Sequence, residues 1–557
     1  MTLKTRTERD MDSNGAPQHG RGLRRRLLRR LGWLPVAGLV AFAATVPMPT
    51  AAHAGDVSEN GILPVCKTSG AGDAHFVLTA KDGYILTPDL DSIYTWSYSA
   101  GNDAFQYPGP ILCVHEGDTV TITLQNQLKV PTSLNVVGVT GETFSGVDAA
   151  NGKAFSGPAT PNADDLKAGN LMPSVASGGA GTYTFVASHA GTYLYESGTS
   201  PQLQDQMGLV GAIIVRPCED QATLTGTPPR ASSCTPSTTP ANRKTYDDYV
   251  YDPSATNWTP GQGAPTTANG VSTSVSTQFQ PDREFLHLLT EMDPDIHLCF
   301  EEAVRGQDAS TVDPGFASRC NPVKAPYTYD MADYKARYFF INGRAFPDTV
   351  DANDAEHLPA QPYSALVHVV PRNATDLAPA VIRYLNAGPV AYPFHPHAQH
   401  EAVIGTDGQP RVASNGDGTV SDLSDDHFGI TVAPGQTLET FFSWVDAVGW
   451  DPSTRPISFG GAAQQGSNQD FSGVYADAPG VIVPQEQDKI NGEFWSGTPY
   501  LGYQHRFKPG ELQFNECGEY YDVAHSHALF QVTNYGGGVG GMLTMIRIDP
   551  IGGCKDS

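Results

Sequence analysis

Basic residues are scarce in this chain. Its 557 residues carry 34 Lys and Arg against 59 Asp and Glu, a net charge of −25. That balance argues against nucleic acid and anionic membranes as partners and mildly favours attraction of cations. Convincing long amphipathic helix patterns are absent, which turns the reading away from helical classes. No C-x-x-C occurs, so zinc ribbons and thioredoxin-like motifs are excluded. No G-x-S-x-G, phosphate loop or dinucleotide fingerprint stands in a strand–turn–helix context, which removes the classes those motifs mark. Past residue 47 there is no second long apolar run, so the mature form has no membrane span.

What is present begins with an address. Arg24 to Arg30 is basic, Leu31 to Pro47 is apolar, and Ala52-His53-Ala54 is a small-x-small cleavage site. Residues 1–54 therefore read as an export signal, with a periplasmic or extracellular product after cleavage near Ala54. The route, general secretory or twin-arginine, stays open. A retained anchor is the alternative, against which the apolar run is only about 17 residues and is broken by Gly and Pro. Removal of the signal leaves 25 basic against 56 acidic side chains. The even number of cysteines, 8, favours disulfides in an exported chain. Their pairing is not fixed by sequence, with Cys218/Cys234 and Cys299/Cys320 preferred as the closest in sequence.

Most apolar segments are short, alternating and bounded by Gly, Pro, Asn or Asp. Thr119–Asn126, Ala365–Val370 and Met542–Ile548 are examples. That pattern predicts an all-β protein of sandwich type. Residues 219–280, rich in Thr, Ser, Pro and Ala, read as a linker or surface excursion between blocks at 62–218 and 281–550. A Gly-, Gln- and Ser-rich insertion is expected at about 451–510.

Two triplets, His395-Pro-His397 and His525-Ser-His527, carry the chemistry. In an extended strand residues i and i+2 share a face, so each triplet aims two imidazoles one way. If the two strands are neighbours, four imidazoles converge, and imidazole is the preferred nitrogen ligand for copper, zinc, iron or nickel. With 16 His in the chain, chance alone gives roughly half of one such triplet, so context must decide.

The context resembles a family. Tyr107-Pro-Gly-Pro-Ile-Leu through Glu116-Gly-Asp-Thr-Val is similar to the opening of the first cupredoxin domain of multicopper oxidases. Gly191 to Gly198 and Met207 to Val215 resemble that domain's closing strands. Phe340 to Pro347, the His395–His400 strand, Val432-Ala-Pro-Gly-Gln436 and the His525–Met542 block resemble a second cupredoxin domain. The resemblance implies two Greek-key cupredoxin-like sandwiches and copper, as one or two ions, at His395, His397, His525 and His527. His400 is expected to pack beside the site as a supporting residue. For two-domain members it also implies that a homo-oligomer, a trimer by analogy, can complete metal sites.

The departures matter as much. Where the resemblance implies histidines in the first domain, the chain has Ser133-Leu-Asn135 and Glu196-Ser-Gly198. The thiolate of a blue copper site belongs where Ser526 stands, and its imidazoles where Tyr392 and Gln531 stand. A serine hydroxyl cannot replace a thiolate, so Met542 reads as a packed methionine and not as an axial ligand. The expected function is an exported copper-dependent oxidoreductase with an incomplete copper set. It would join a small oxidant to an unidentified reductant, a cation on the strength of the chain's charge. A non-catalytic copper-binding or storage protein and a degenerate cupredoxin used for interaction are the rival readings. Elsewhere, Glu291-Met-Asp293-Pro-Asp295-Ile-His297 reads as a solvated turn in preference to a cation site. His115, His189, His287 and His368 read as structural.

Overall fold

The computed structural model describes residues 60–62, 65–68, 73–216, 283–304, 328–370, 379–397, 400–414, 420–442, 520–535 and 540–548, with short ladders at 267–268, 271–272 and 320–321. The export signal, nearly all of the 219–280 segment and the whole 451–510 insertion lie outside them. All described residues belong to a compact unit spanning 53–557.

Alternation in the sequence becomes strand geometry directly. In β5 (Thr119–Asn126), Val120, Ile122 and Leu124 point into the core, while Thr121 and Thr123 face outward beside Thr184 and Thr182 at 3.4 Å. The first sandwich sets β3 (Ser92–Ala100), β2 (Asp73–Leu86), β5, β9 (Ala180–Val186), β7 (Thr143–Asp148) and β8 (Lys153–Pro158) in one sheet. Its second sheet runs β1 (Lys67–Thr68), β4 (Leu112–His115), β11 (Val210–Arg216), β10 (Gly191–Glu196) and β6 (Asn135–Val136).

The second sandwich repeats the plan. One sheet orders β13 (Tyr338–Ile341), β12 (Glu284–Met292), β15 (Ala380–Asn386), β21 (Thr437–Phe442), β17 (Glu401–Thr406) and β18 (Gln409–Pro410), with β19 (Asp425–His427) also on β17. The other orders β14 (Val367–Val369), β23 (Leu543–Ile548), β22 (Tyr520–Ser526), β16 (Tyr392–Pro396) and β20 (Ile430–Val432). The same side-chain device closes equivalent turns. Asn126 donates to the carbonyls of Val130 and Val175, and Asn386 to those of Val390 and Val432.

The sandwiches pack sheet to sheet. Leu194, Val210, Ala212 and Ile214 meet Leu286, Leu288, Phe340 and Leu385 in a shared apolar layer. Strand β11 is therefore buried on both faces, which explains its apolar run from Val210 to Val215. At the rim of that layer lies a buried ion network. Glu284 receives Arg216 at 2.6 Å and Arg383 at 2.7 Å, and Arg383 reaches Thr192 Oγ1 at 3.0 Å. Glu439 accepts from the Thr192 amide at 2.6 Å and stands 3.9 Å from Arg383. The two arginines hold Glu284 below its usual carboxylate range although burial alone would raise it.

Two expectations change. Asp293 and Pro294 open an α-helix, Pro294–Val304, and not a solvated turn. Pro at the first helical position and the Asp293 carboxylate accepting from the Asp295 amide at 3.0 Å fix its start. Glu291, Asp293 and His297 are buried, because the helix packs Ile296, Cys299 and Phe300 into the first sandwich's core. His115, His287 and His368 are buried as expected, but His189 is exposed. A disulfide also joins Cys66, just before β1, to Cys113 on the adjoining β4, distant in sequence. Cys299 is also disulfide-bonded, while Cys218 and Cys234 lie outside the described residues.

Removing one side of the ion network tests its role in joining the sandwiches. Arg383→Ala leaves two buried carboxylates under-compensated and should cost roughly 3–5 kcal/mol in denaturant unfolding. Because Glu284 has a lowered folded pKa, its stabilising contribution is complete above the ordinary value of 4.5 and is lost as pH falls through the folded value. Glu284→Gln should therefore be less stable at neutral pH and lose less on acidification than the parent, read as Tm against pH. Parallel Tm profiles would contradict the assignment.

Candidate metal centre

Strands β16 and β22 pair antiparallel, with His395 directly opposite His525. Alternation then sorts their residues. Tyr392, Phe394, Ala524 and Ser526 point into the core, while His395, His397 and His525 lie half-buried on the other face. The ladder continues past the strand ends, through His397 N to Val523 O at 2.9 Å and His527 N to Pro393 O at 2.6 Å, and His527 is exposed beside the other three.

The four rings gather. His395 lies 4.8 Å from His397, 5.8 Å from His525 and 5.4 Å from His527, centroid to centroid. His525 lies 5.2 Å from His397 and 5.9 Å from His527. The closest nitrogens are Nε2 of His397 and Nε2 of His525, 3.1 Å apart. The rings gather, but only one pair of nitrogens does: among the described residues no three of the four imidazoles bring a nitrogen each within 4.8 Å of one another, short of the expected convergence. The three ligand atoms of Asp348, Asp351 and His357 group more tightly, within 4.8 Å of one another. That second group already has a cation beside it, since the Arg344 guanidinium binds the Asp351 and Ala352 carbonyls at 2.8 and 3.1 Å.

Tautomers follow from the neighbours. His525 Nδ1 donates to the Ser526 carbonyl at 2.8 Å, and His395 Nδ1 donates to the Phe428 carbonyl. A carbonyl can only accept, so both protons sit on Nδ1 and both Nε2 atoms carry lone pairs. In the 3.1 Å contact the proton then belongs to His397 Nε2. Burial first, and the three other imidazoles second, push His397 down to about 4, and burial lowers His525 as well. Both rings are therefore neutral at neutral pH.

His397 and His525 have the spacing that two ligands of one metal ion would need. Two nitrogens bound at about 2.0 Å with a tetrahedral angle stand about 3.3 Å apart, close to the spacing found. Backbone carbonyls on the far nitrogens are the usual outer support of ligating histidines. Phe428 supplies one of them and was not singled out from the sequence; a residue acting through its carbonyl leaves no side-chain signal. Exposed His400 stands 6.5 Å from the Phe428 ring, which itself contacts His395, so His400 reaches the cluster through that phenylalanine.

The Ser526 hydroxyl donates to Gln531 Oε1 at 2.5 Å, and the Gln531 carbonyl accepts from the Met542 amide at 2.8 Å, with all three side chains buried. Tyr392 donates to Glu291 at 3.1 Å. In the first sandwich Asn135 opposes Glu196 on β6 and β10, as His395 opposes His525 on β16 and β22. Ser197 there donates to Gln204 at 2.7 Å, matching the Ser526–Gln531 bond. Burial lifts Glu196 to about 6.

Single substitutions His395→Ala, His397→Ala, His525→Ala and His527→Ala should each weaken copper binding by at least about tenfold, the scale lost even when outer-shell partners are removed. His189→Ala, exposed on the first sandwich, should leave it unchanged. Competition titration with a calibrated chelator reads the difference; equal affinity in all five variants would remove the four imidazoles from the site.

Comparison with known proteins bears on the first sandwich. Residues 102–220 match the family model described as multicopper oxidase. A stretch of 121 residues is 31% identical to multicopper oxidase CTB12 from Cercospora beticola, covering 22% of this chain and 16% of that protein. Among solved structures, a blue copper oxidase from Nitrosomonas europaea aligns with a TM-score of 0.42 at 14% identity, over 86% of this chain and 85% of that one. A copper nitrite reductase from Nitrosomonas europaea aligns with a TM-score of 0.35 at 18% identity, over 67% and 84%. The family model and the curated match both fall on the first sandwich, and this chain spans about a sixth of the length of that curated relative.

Proposed function

We propose that the chain is an exported copper-dependent oxidoreductase whose copper set is incomplete, with the metal held by His395, His397, His525 and His527. The observation that carries the reading is the 3.1 Å approach of the neutral His397 and His525 Nε2 atoms, with His525 Nδ1 tied to the Ser526 carbonyl. Copper bound there would supply a one-electron couple between its cuprous and cupric states. The protein's own part is to hold the His525 Nε2 lone pair toward His397 Nε2–H and to give up that single His397 proton when the ion enters. With His527 exposed and the other rings half-buried, a small oxidant in solution can reach the site. The acidic surface draws a cationic reductant.

One observation favours a second reading. Ser526, bonded to Gln531, stands where the resemblance places a thiolate, so the imidazoles suit carriage of copper as well as turnover. Anaerobic addition of a one-electron donor to copper-loaded protein, followed by air, separates the two. The oxidoreductase reading expects repeated loss and return of the cupric EPR signal with consumption of the donor. A signal that neither bleaches nor returns would leave a copper carrier.

A further inference from the structure

Behind the imidazole face sits a buried carboxylate with no structural need for its charge. Glu291, on β12, is 4% exposed, and its two oxygens accept from two phenols, Tyr334 at 2.9 Å and Tyr392 at 3.1 Å. Glu284, seven peptide bonds upstream on the same strand, is met by two arginines, whereas among the described residues the Glu291 carboxylate is met by those two hydroxyls. A buried carboxylate held by neutral donors alone costs stability relative to an apolar residue of similar size. Burial raises its proton affinity, the chief effect, while the two phenols oppose it. Tyr392 is fully buried and Tyr334 half-buried, so the three groups run from near the surface into the core. Tyr392 lies on the strand that carries His395 three residues later, about 10 Å along it. Its neighbour Phe394 contacts the rings of Tyr384 and His287 at 5.3 and 5.5 Å.

We propose that Tyr392, with Glu291 as its proton acceptor, is a one-electron relay that brings electrons from the Tyr334 side to the four-imidazole face. The proposal rests on the reading of that face as a copper site. A phenol gives up an electron readily only if its proton leaves at the same time, and the Glu291 oxygen at 3.1 Å is placed to take it. In the forward step the Tyr392 O–H bond breaks, an O–H bond forms on Glu291, and one electron passes to a one-electron oxidant at the imidazoles, cupric ion on this reading. Tyr392 is left as a neutral radical. A small one-electron donor in solution then returns an electron to Tyr392, and the proton goes back from Glu291 to the phenolic oxygen. The donor is oxidised by one electron, the acceptor is reduced by one, and no proton is gained or lost. Tyr334, bonded to the other oxygen, positions Glu291 and extends the path outward. Such a relay would do the work of the thiolate whose place Ser526 takes.

Two measurements test it. Metal-free protein is oxidised by a photogenerated external one-electron oxidant, frozen and examined by EPR. The parent should show a neutral tyrosyl radical that is lost from the Tyr392→Phe difference spectrum and falls at least about fivefold in Glu291→Gln. In copper-loaded protein the same two variants should bind copper as the parent does but show anaerobic reduction of the cupric signal slowed at least about tenfold. Tyr535→Phe, an exposed ring, should change neither. A core disturbed by substitution would lower Tm in Tyr392→Phe and Glu291→Gln alike, and parent-like Tm values keep the comparison valid. Radical yields and reduction rates equal to the parent's would overturn the relay. Loss of the Tyr392 radical in a protein that binds no copper would support the Tyr392–Glu291 chemistry while removing the copper reading.

Discussion

Everything at the candidate site depends on one register, His395 opposite His525. Side chains alternate along a strand, so a slip of one residue would turn the imidazoles inward and push Tyr392, Phe394, Ala524 and Ser526 into water. The buried face holds the register. Phe394 and Tyr392 belong to the second sandwich's core with Ala524, Met542 and Ile430. The Ser526–Gln531 and Tyr392–Glu291 bonds then satisfy the polar groups that the core side must bury. The imidazole cluster is therefore a product of packing on the opposite face of the same two strands, and core stability and site geometry are linked.

The two sandwiches are variations on one arrangement, and the variation locates the chemistry. Both have a strand ending beside a short partner, a buried Ser–Gln bond just past that end, and an asparagine that closes the neighbouring turn. In the second sandwich the opposed pair is His525 and His395; in the first it is Glu196 and Asn135. Imidazole lone pairs suit a borderline transition metal, and a half-buried carboxylate beside an amide suits proton or hard-cation chemistry. The same scaffold thus presents two chemically different faces. Between the sandwiches, the Arg216–Glu284–Arg383 network ties β11, β12 and β15 into one rigid layer, so the two faces sit on a common support.

Much of this was legible in the sequence because it depends on short-range alternation. Thr119–Asn126 and the two His-x-His triplets alternate with period two, and that period alone places His395 and His397, or His525 and His527, on one face. What was hidden depends on partners distant in the chain. The Glu291–His297 stretch carries turn-forming Asp-Pro and three acidic residues, yet it is buried because Trp96 of the first sandwich packs its ring 5.2 Å from Phe300. Nothing local in the sequence announces that contact. Cys66 and Cys113 pair because β1 and β4 run side by side, a pair that a sequence separation of 47 residues does not suggest. Phe428 supports His395 through its backbone, and the Tyr334–Glu291–Tyr392 triad joins residues from three separate segments.

The central claim, that the four imidazoles hold copper without a thiolate, is tested most directly by X-ray absorption on the copper-loaded protein. The account predicts a first shell of nitrogen or oxygen scatterers at about 2.0 Å and histidine outer-shell scattering from at least three rings, with no sulfur at about 2.3 Å. A copper–sulfur shell, or copper bound with the outer-shell pattern of carboxylates and water alone, would contradict it.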